Sequence, residues 1–177
     1  MKKIGIVTDS HSSISQEEAK KLGIFVLPMP FYIDGECYYE SVTLSRELFF
    51  EKLTSGADIS TSQPSPTAVM EIWDKALEEY EKILYMPISS GLSSSYNTAM
   101  MLAQEEKYEG RVLVVDDGQV AAPLHQMILD TLDMIEKGYE AEHIRELLEK
   151  AGDRMMIYIA LQTLEFLKKG GRVTPAA

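Results

Sequence analysis

Three short polar loops carry the residues in this chain best suited to chemistry. They are Thr8-Asp9-Ser10, Thr61-Ser62-Gln63-Pro64-Ser65 and Ser89-Ser90-Gly91-Leu92-Ser93-Ser94-Ser95. Hydroxyl groups donate hydrogen bonds without adding charge. At the start of a helix, beside free backbone amides and the positive end of the dipole, they can cradle a carboxylate or a phosphate. Read singly, the same residues are ordinary turn formers and helix caps. Other chemistries fail on inspection. SSGLSSSY lacks the Gly-Lys-Ser/Thr ending of a phosphate-binding P-loop. Ser95 stands where a nucleophile elbow needs its second glycine. His11, His125 and His143 are isolated in the sequence, so none is marked as the base for a serine nucleophile. Metal-ligand spacing is absent, and Cys37 is a single cysteine beside a turn. Asp116-Asp117 follows a predicted strand and is read as a cap on the next helix rather than a metal site.

The elements that must position these loops follow from periodicity and capping. Residues 3–8 (KIGIVT), 24–29 (IFVLPM), 82–87 (KILYMP), 111–116 (RVLVVD) and 155–160 (MMIYIA) read as strands. Ser15 with Glu18 forms a capping box, and Gly23 closes a helix over 16–22. Further helices are expected near 45–53, from Ser65-Pro66 to Tyr80, over 94–105, 120–137 and 141–151, with a short one in LEFLKKGG. Asp34-Gly35 between β-rich flanks signals a two-residue hairpin. The alternation predicts an α/β fold, a mostly parallel sheet flanked by helices in a Rossmann-like three-layer lobe, with a small hairpin excursion. Each polar loop then falls at the carboxyl end of a strand or the start of a helix, where open parallel sheets bind ligands. The expected organisation is a lobe over 1–152, with the hairpin excursion at about 31–40. Residues 153–177 begin a second α/β lobe, and the sequence reads as a fragment whose remaining second lobe is absent.

Charge and composition exclude whole classes. The chain has 177 residues, 45% hydrophobic and 25% charged, which suits a globular protein with a sizeable core. A formal net charge of −11 argues against nucleic-acid binding, which needs clustered Lys and Arg. No apolar stretch approaches a membrane span, so no stable membrane insertion is expected. The single Cys37 and the lack of a signal-peptide core imply a cytoplasmic protein. Ten methionines suit irregular apolar space, although ordinary core packing explains most of them.

Taken together, the loops carry a resemblance. Thr8-Asp9-Ser10 near the N-terminus, Thr61 to Ser65 before a helix, Ser89 to Ser93 after the next strand, and the late Leu164 to Arg172 (LEFLKKGGR) resemble the DegV family of fatty-acid-binding proteins, of the FakB carrier type. The resemblance implies a two-lobed α/β protein holding one long-chain fatty acid, such as palmitate, stearate or oleate, with no cofactor and no catalysis of its own. It implies that Thr61 and Ser93 hydrogen-bond the carboxylate, with Ser62, Ser94, Gly91, Asp9 and Ser10 completing the head-group site. It implies a separate kinase partner that makes an acyl phosphate for phospholipid synthesis, with Arg172 as a docking residue. The second lobe would supply part of the tail tunnel and a histidine near the carboxylate. This chain departs from the family pattern after SSGLS, with Ser94-Ser95-Tyr96 where Gly-Thr-Tyr is usual. Residue chemistry alone leaves two other readings open: a domain binding a small phosphorylated metabolite, and a serine hydrolase with Ser93 as nucleophile.

Overall fold

The computed structural model describes residues 2–40, 42–161 and 163–172. Residues 173–177 of the expected second lobe lie outside the described residues. The chain forms two compact units: Met1–Pro28 with Pro64–Met155, and Met29–Gln63 with Met156–Ala177.

The first unit is built on strands β1 (Lys2–Asp9), β2 (Phe25–Leu27), β6 (Tyr80–Met86) and β7 (Val112–Val114). They form a wholly parallel sheet in the order β2-β1-β6-β7. Its helices are α1 (Gln16–Leu22), α3 (Pro66–Leu77), α4 (Ser95–Leu102), α5 (Ala121–Glu136) and α6 (Ala141–Gly152). Alternation along β6 separates two apolar layers. Leu84 and Met86 pack with Ala19 of α1, Leu124 and Ile128 of α5 and Ile144 of α6. Ile83 and Tyr85 pack with Val69 and Trp73 of α3 and Ala99 of α4. The continuous apolar runs of the strands follow from this burial on both faces. Ser15 and Ser65 cap α1 and α3, accepting from the amides of Glu18 and Ala68.

The second unit holds β3 (Pro30–Ile33), β4 (Glu36–Tyr39), α2 (Arg46–Thr54), β5 (Ile59–Thr61) and α7 (Glu165–Lys169). Its antiparallel sheet has the order β4-β3-β5. Asp34 and Gly35 both take positive φ, 51° and 86°, as a type I′ hairpin turn requires. Phe31 stacks on Tyr38 and meets Phe49 edge-on.

Two expectations change. β5 is an addition: Ile59-Ser60-Thr61 is too short and polar to show strand alternation, but its pairing with β3 makes it one. The strand expected at 155–160 is not seen: among the described residues no segment pairs with it in a sheet, and Met156 is 75% and Tyr158 88% exposed. A strand needs a neighbour to accept its backbone hydrogen bonds, and apolar sequence alone does not provide one.

Tyr80 explains one glycine. A Cβ on Gly5 would lie 2.6 Å from Cγ of the Tyr80 ring, whose hydroxyl donates to the Gly23 carbonyl at 2.9 Å. The clash falls at the root of the ring, so rotation about the terminal bonds cannot relieve it. Gly5→Ala should lower unfolding stability by about 1–3 kcal/mol in chemical denaturation. An unchanged midpoint would show that the ring can retreat.

Candidate functional site

Strand order decides where the first unit can bind something. β1 leads through α1 to β2 on one side, and β6 leads through α4 to β7 on the other. Their helices lie on opposite faces, α1 in the layer of Leu84 and α4 in the layer of Tyr85. The carboxyl ends of β1 and β6 therefore flank the switch point at which open α/β sheets leave a crevice. Two of the three polar loops, Asp9-Ser10 and Ser89–Ser95, begin there.

Asp9 ties these loops together. It is fully buried, and its Oδ2 accepts from the Ile88 amide at 2.8 Å. Its Oδ1 accepts from the His11 amide at 2.9 Å and lies 3.2 Å from His11 Nδ1. Thr8 donates to the Met86 carbonyl at 2.7 Å, adding a second stitch between the strand ends. Ser10 is partly exposed in the short 3₁₀ turn that Asp9 caps.

In the serine loop, Ser89 Oγ accepts from the Gly91 amide at 3.2 Å. The Ser89 carbonyl accepts from the Leu92 and Ser93 amides. Ser93 is partly exposed, and its Oγ lies 2.7 Å from Ser95 Oγ and accepts from the Ser95 amide at 3.2 Å. Gly91 and Ser94 are exposed, and Ser94 makes no side-chain cap bond to α4.

Thr61, Ser62 and Arg172 belong to the second unit. Thr61 ends β5, and its Oγ1 accepts from Arg172 Nη1 at 3.3 Å. Ser62 donates its hydroxyl to the Gln63 carbonyl at 3.1 Å. Lys169 of α7 pairs with Asp58, which holds the Gly170-Gly171-Arg172 end beside β5. The structure thus gathers Asp9, Ser10, Gly91, Ser93 and Ser94 at one sheet edge, and Thr61, Ser62 and Arg172 in the other unit.

A family model described as uncharacterised protein, DegV family, matches residues 3–177. The chain belongs to the DegV family. A DegV domain-containing protein of Deinococcus radiodurans is 33% identical over 175 residues, covering 98% of this chain and 62% of the relative. A Thermus thermophilus DegV family structure, described by its fatty acid binding, superposes with a TM-score of 0.85 at 32% identity, covering 98% of this chain and 62% of that one. A stearic acid-binding protein from Eubacterium ventriosum gives a TM-score of 0.82 at 25% identity, with 100% and 62% covered. The chain therefore spans about 62% of the length of these relatives.

In this DegV-family chain the Asp116-Asp117 pair departs from the cap expected of it. α5 starts at Ala121, with Val120 at its N-cap and no side-chain cap bond. Asp116 Oδ1 instead accepts from the Ser90 and Gly118 amides, at 3.3 and 3.2 Å. Asp117 Oδ1 accepts from the Gln119 amide at 2.9 Å, and the Gln119 carbonyl accepts from the Ser89 amide. The pair braces the serine loop rather than the helix behind it. Ser95 carried no assigned role in the polar loop, and His11 stood as isolated in the sequence; a serine two residues beyond Ser93 and a histidine two beyond Asp9 were the available signals of these contacts. Among the described residues no cluster of three or more His, Cys, Asp or Glu could hold a metal ion.

Asp117 is 1% exposed, and its Oδ2 has no hydrogen-bond partner among the described residues. Burial pushes its carboxyl up to about 6, helped by the charges of Asp116 and Asp9. The folded chain thus holds this proton more tightly than the unfolded chain. The resulting instability is absent below about pH 4 and grows as pH rises through the folded value. Asp117→Asn keeps the acceptor for Gln119 and removes the charge. It should be the more stable form by about 1–3 kcal/mol above roughly pH 7, and the advantage should vanish toward pH 4. Parallel pH profiles of thermal unfolding would contradict this.

Proposed function

We propose that this chain carries the head-group-binding part of a fatty-acid carrier, and that a separate kinase acts on the carboxylate it presents. The observation that carries this reading is the placement of Ser93 at the switch-point edge, in a chain 32% identical to a family member described by its fatty acid binding. Ser93 and the amides of its loop meet the carboxylate from the first unit. Thr61 is the second hydroxyl for the same group, and Ser62, Ser94, Gly91, Asp9 and Ser10 shape the surroundings. Asp9 does so indirectly, because both its oxygens already accept from the protein. Arg172 is the docking residue for the kinase, and its bond to Thr61 couples that surface to the head group.

The energetics favour a lipid. Each buried methylene contributes about 0.8 kcal/mol, so a sixteen-carbon tail gains roughly 10 kcal/mol before ordering costs. Affinity then comes from the tail, and the head group needs only to avoid a desolvation loss. Neutral hydroxyls achieve that without the tight ion pair a lysine would form, leaving the carboxylate available to attack a phosphate. A hydrolase would need a base on Ser93, but the hydroxyl beside it belongs to Ser95.

The tests are direct. Native mass spectrometry of the protein purified from cells should show one retained fatty acid per chain. Thr61→Val and Ser93→Ala should each weaken oleate binding by about 1–3 kcal/mol, as loss of one partner of a buried charged group does. Unchanged affinity in both variants would sink the head-group assignment. Retention of a phosphorylated metabolite in place of lipid would move the site to that class.

A further inference from the structure

The two serines of the 93–95 pair are not equivalent. Ser95 is 4% exposed, whereas Ser93 is partly open to solvent. The oxygens are 2.7 Å apart, so one hydroxyl donates to the other. Among the described residues, the Ser95 hydroxyl has no hydrogen-bond partner other than Ser93. If Ser93 were the donor, the Ser95 hydrogen would be buried with nothing to receive it, which costs the desolvation of that group. If Ser95 is the donor, no buried hydrogen is orphaned. Ser93 Oγ then accepts twice, from the Ser95 hydroxyl and from the Ser95 amide at 3.2 Å. A hydroxyl has two lone pairs and one hydrogen. With both lone pairs occupied, Ser93 can only give.

We infer that Ser95 is a positioning residue that turns the Ser93 hydroxyl into an obligate donor, and so selects an ionised carboxylate over an uncharged alcohol of the same length. This rests on the fatty-acid reading above and goes beyond it, because it assigns the discrimination to a residue that need not touch the ligand. Thr61 is less constrained: its Oγ1 accepts once, from the Arg172 guanidinium, which leaves a lone pair free. A carboxylate accepts and never donates, so it matches a donor-only Ser93 fully. A fatty alcohol matches it with its oxygen but brings a hydrogen for which a filled Ser93 has no lone pair.

The test compares Ser95→Ala and Ser95→Thr with the parent chain, using displacement of a fluorescent fatty acid by oleate and by oleyl alcohol. Ser95→Ala should weaken oleate by about three- to tenfold, the range of one lost neutral hydrogen bond, and leave oleyl alcohol within about twofold. Ser95→Thr keeps the hydroxyl and should restore the preference for oleate. Equal losses for both ligands, or no loss for oleate, would overturn the assignment. A second measurement separates this from failure of the underlying reading. In the ligand-free parent, the Ser95 hydroxyl proton should exchange slowly in NMR spectra and show a cross-peak to Ser93. If the parent chain shows this proton, yet neither it nor a form with the second lobe restored takes oleate, the fatty-acid reading fails and the Ser95 donation stands. A fast-exchanging proton overturns the donation itself.

Discussion

One buried carboxylate holds the sheet edge together. Asp9 lies at the end of β1, yet its Oδ2 accepts from Ile88, 79 residues away beyond the end of β6. An unpaired charge in that position would be very costly, so its bonds to the Ile88 and His11 amides are a condition of burial. They are charge-assisted and therefore among the stronger hydrogen bonds in the unit. The β6 loop consequently leaves the sheet in a set direction, and the serine run that follows inherits it. Asp116 and Gln119 brace the same run from the β7 side through Ser90 and Ser89. The β6 loop is thus organised by Asp9, Asp116 and Gln119, which accept from its backbone amides.

That arrangement sets an electrostatic constraint. The chain carries a net charge of −11, and Asp9, Asp116 and Asp117 all lie beneath the loop proposed to meet an anion. The net charge of this chain opposes such a ligand. Donors must therefore be local and correctly turned, which gives the polarity of the hydroxyls more weight than their number. The Asp117 carboxyl is raised chiefly by burial, and the charges of Asp116 and Asp9 add to it.

The fold was legible because burial on both sheet faces leaves unbroken apolar runs, and because Ser15, Gly23, Asp34-Gly35 and Ser65-Pro66 are strong local punctuation. What failed depended on partners distant in sequence. The 155–160 run looks like a buried strand, but a strand is a relation between two segments, and this one has no partner strand among the described residues. β5 is the converse, three unremarkable residues made a strand by β3. At the site, hydroxyl-rich loops announced themselves by composition. The direction of a hydrogen between Ser93 and Ser95 could not, since it depends on which side chain is buried. Asp116-Asp117 was misread for a similar reason: position before a helix suggested a cap, while the amides that needed an acceptor lay in the loop beside it.

The register of the central strands has a consequence for how the chain assembles. β1 pairs with β6, aligning Lys2 with Tyr80 and Thr8 with Met86, so the middle of the sheet joins residues separated by nearly half the chain. The entire Met29–Gln63 excursion lies between them in sequence. Closing so long a loop carries an entropic cost that grows only slowly with length, but it must be met before any of the contacts it allows can form. The Asp34-Gly35 hairpin is a local structure that forms without waiting for this event, and each residue it orders shortens the free chain that β1 and β6 must span. During synthesis, β2 can pair with one side of β1 early, but its β6 side stays open until β6 has left the ribosome.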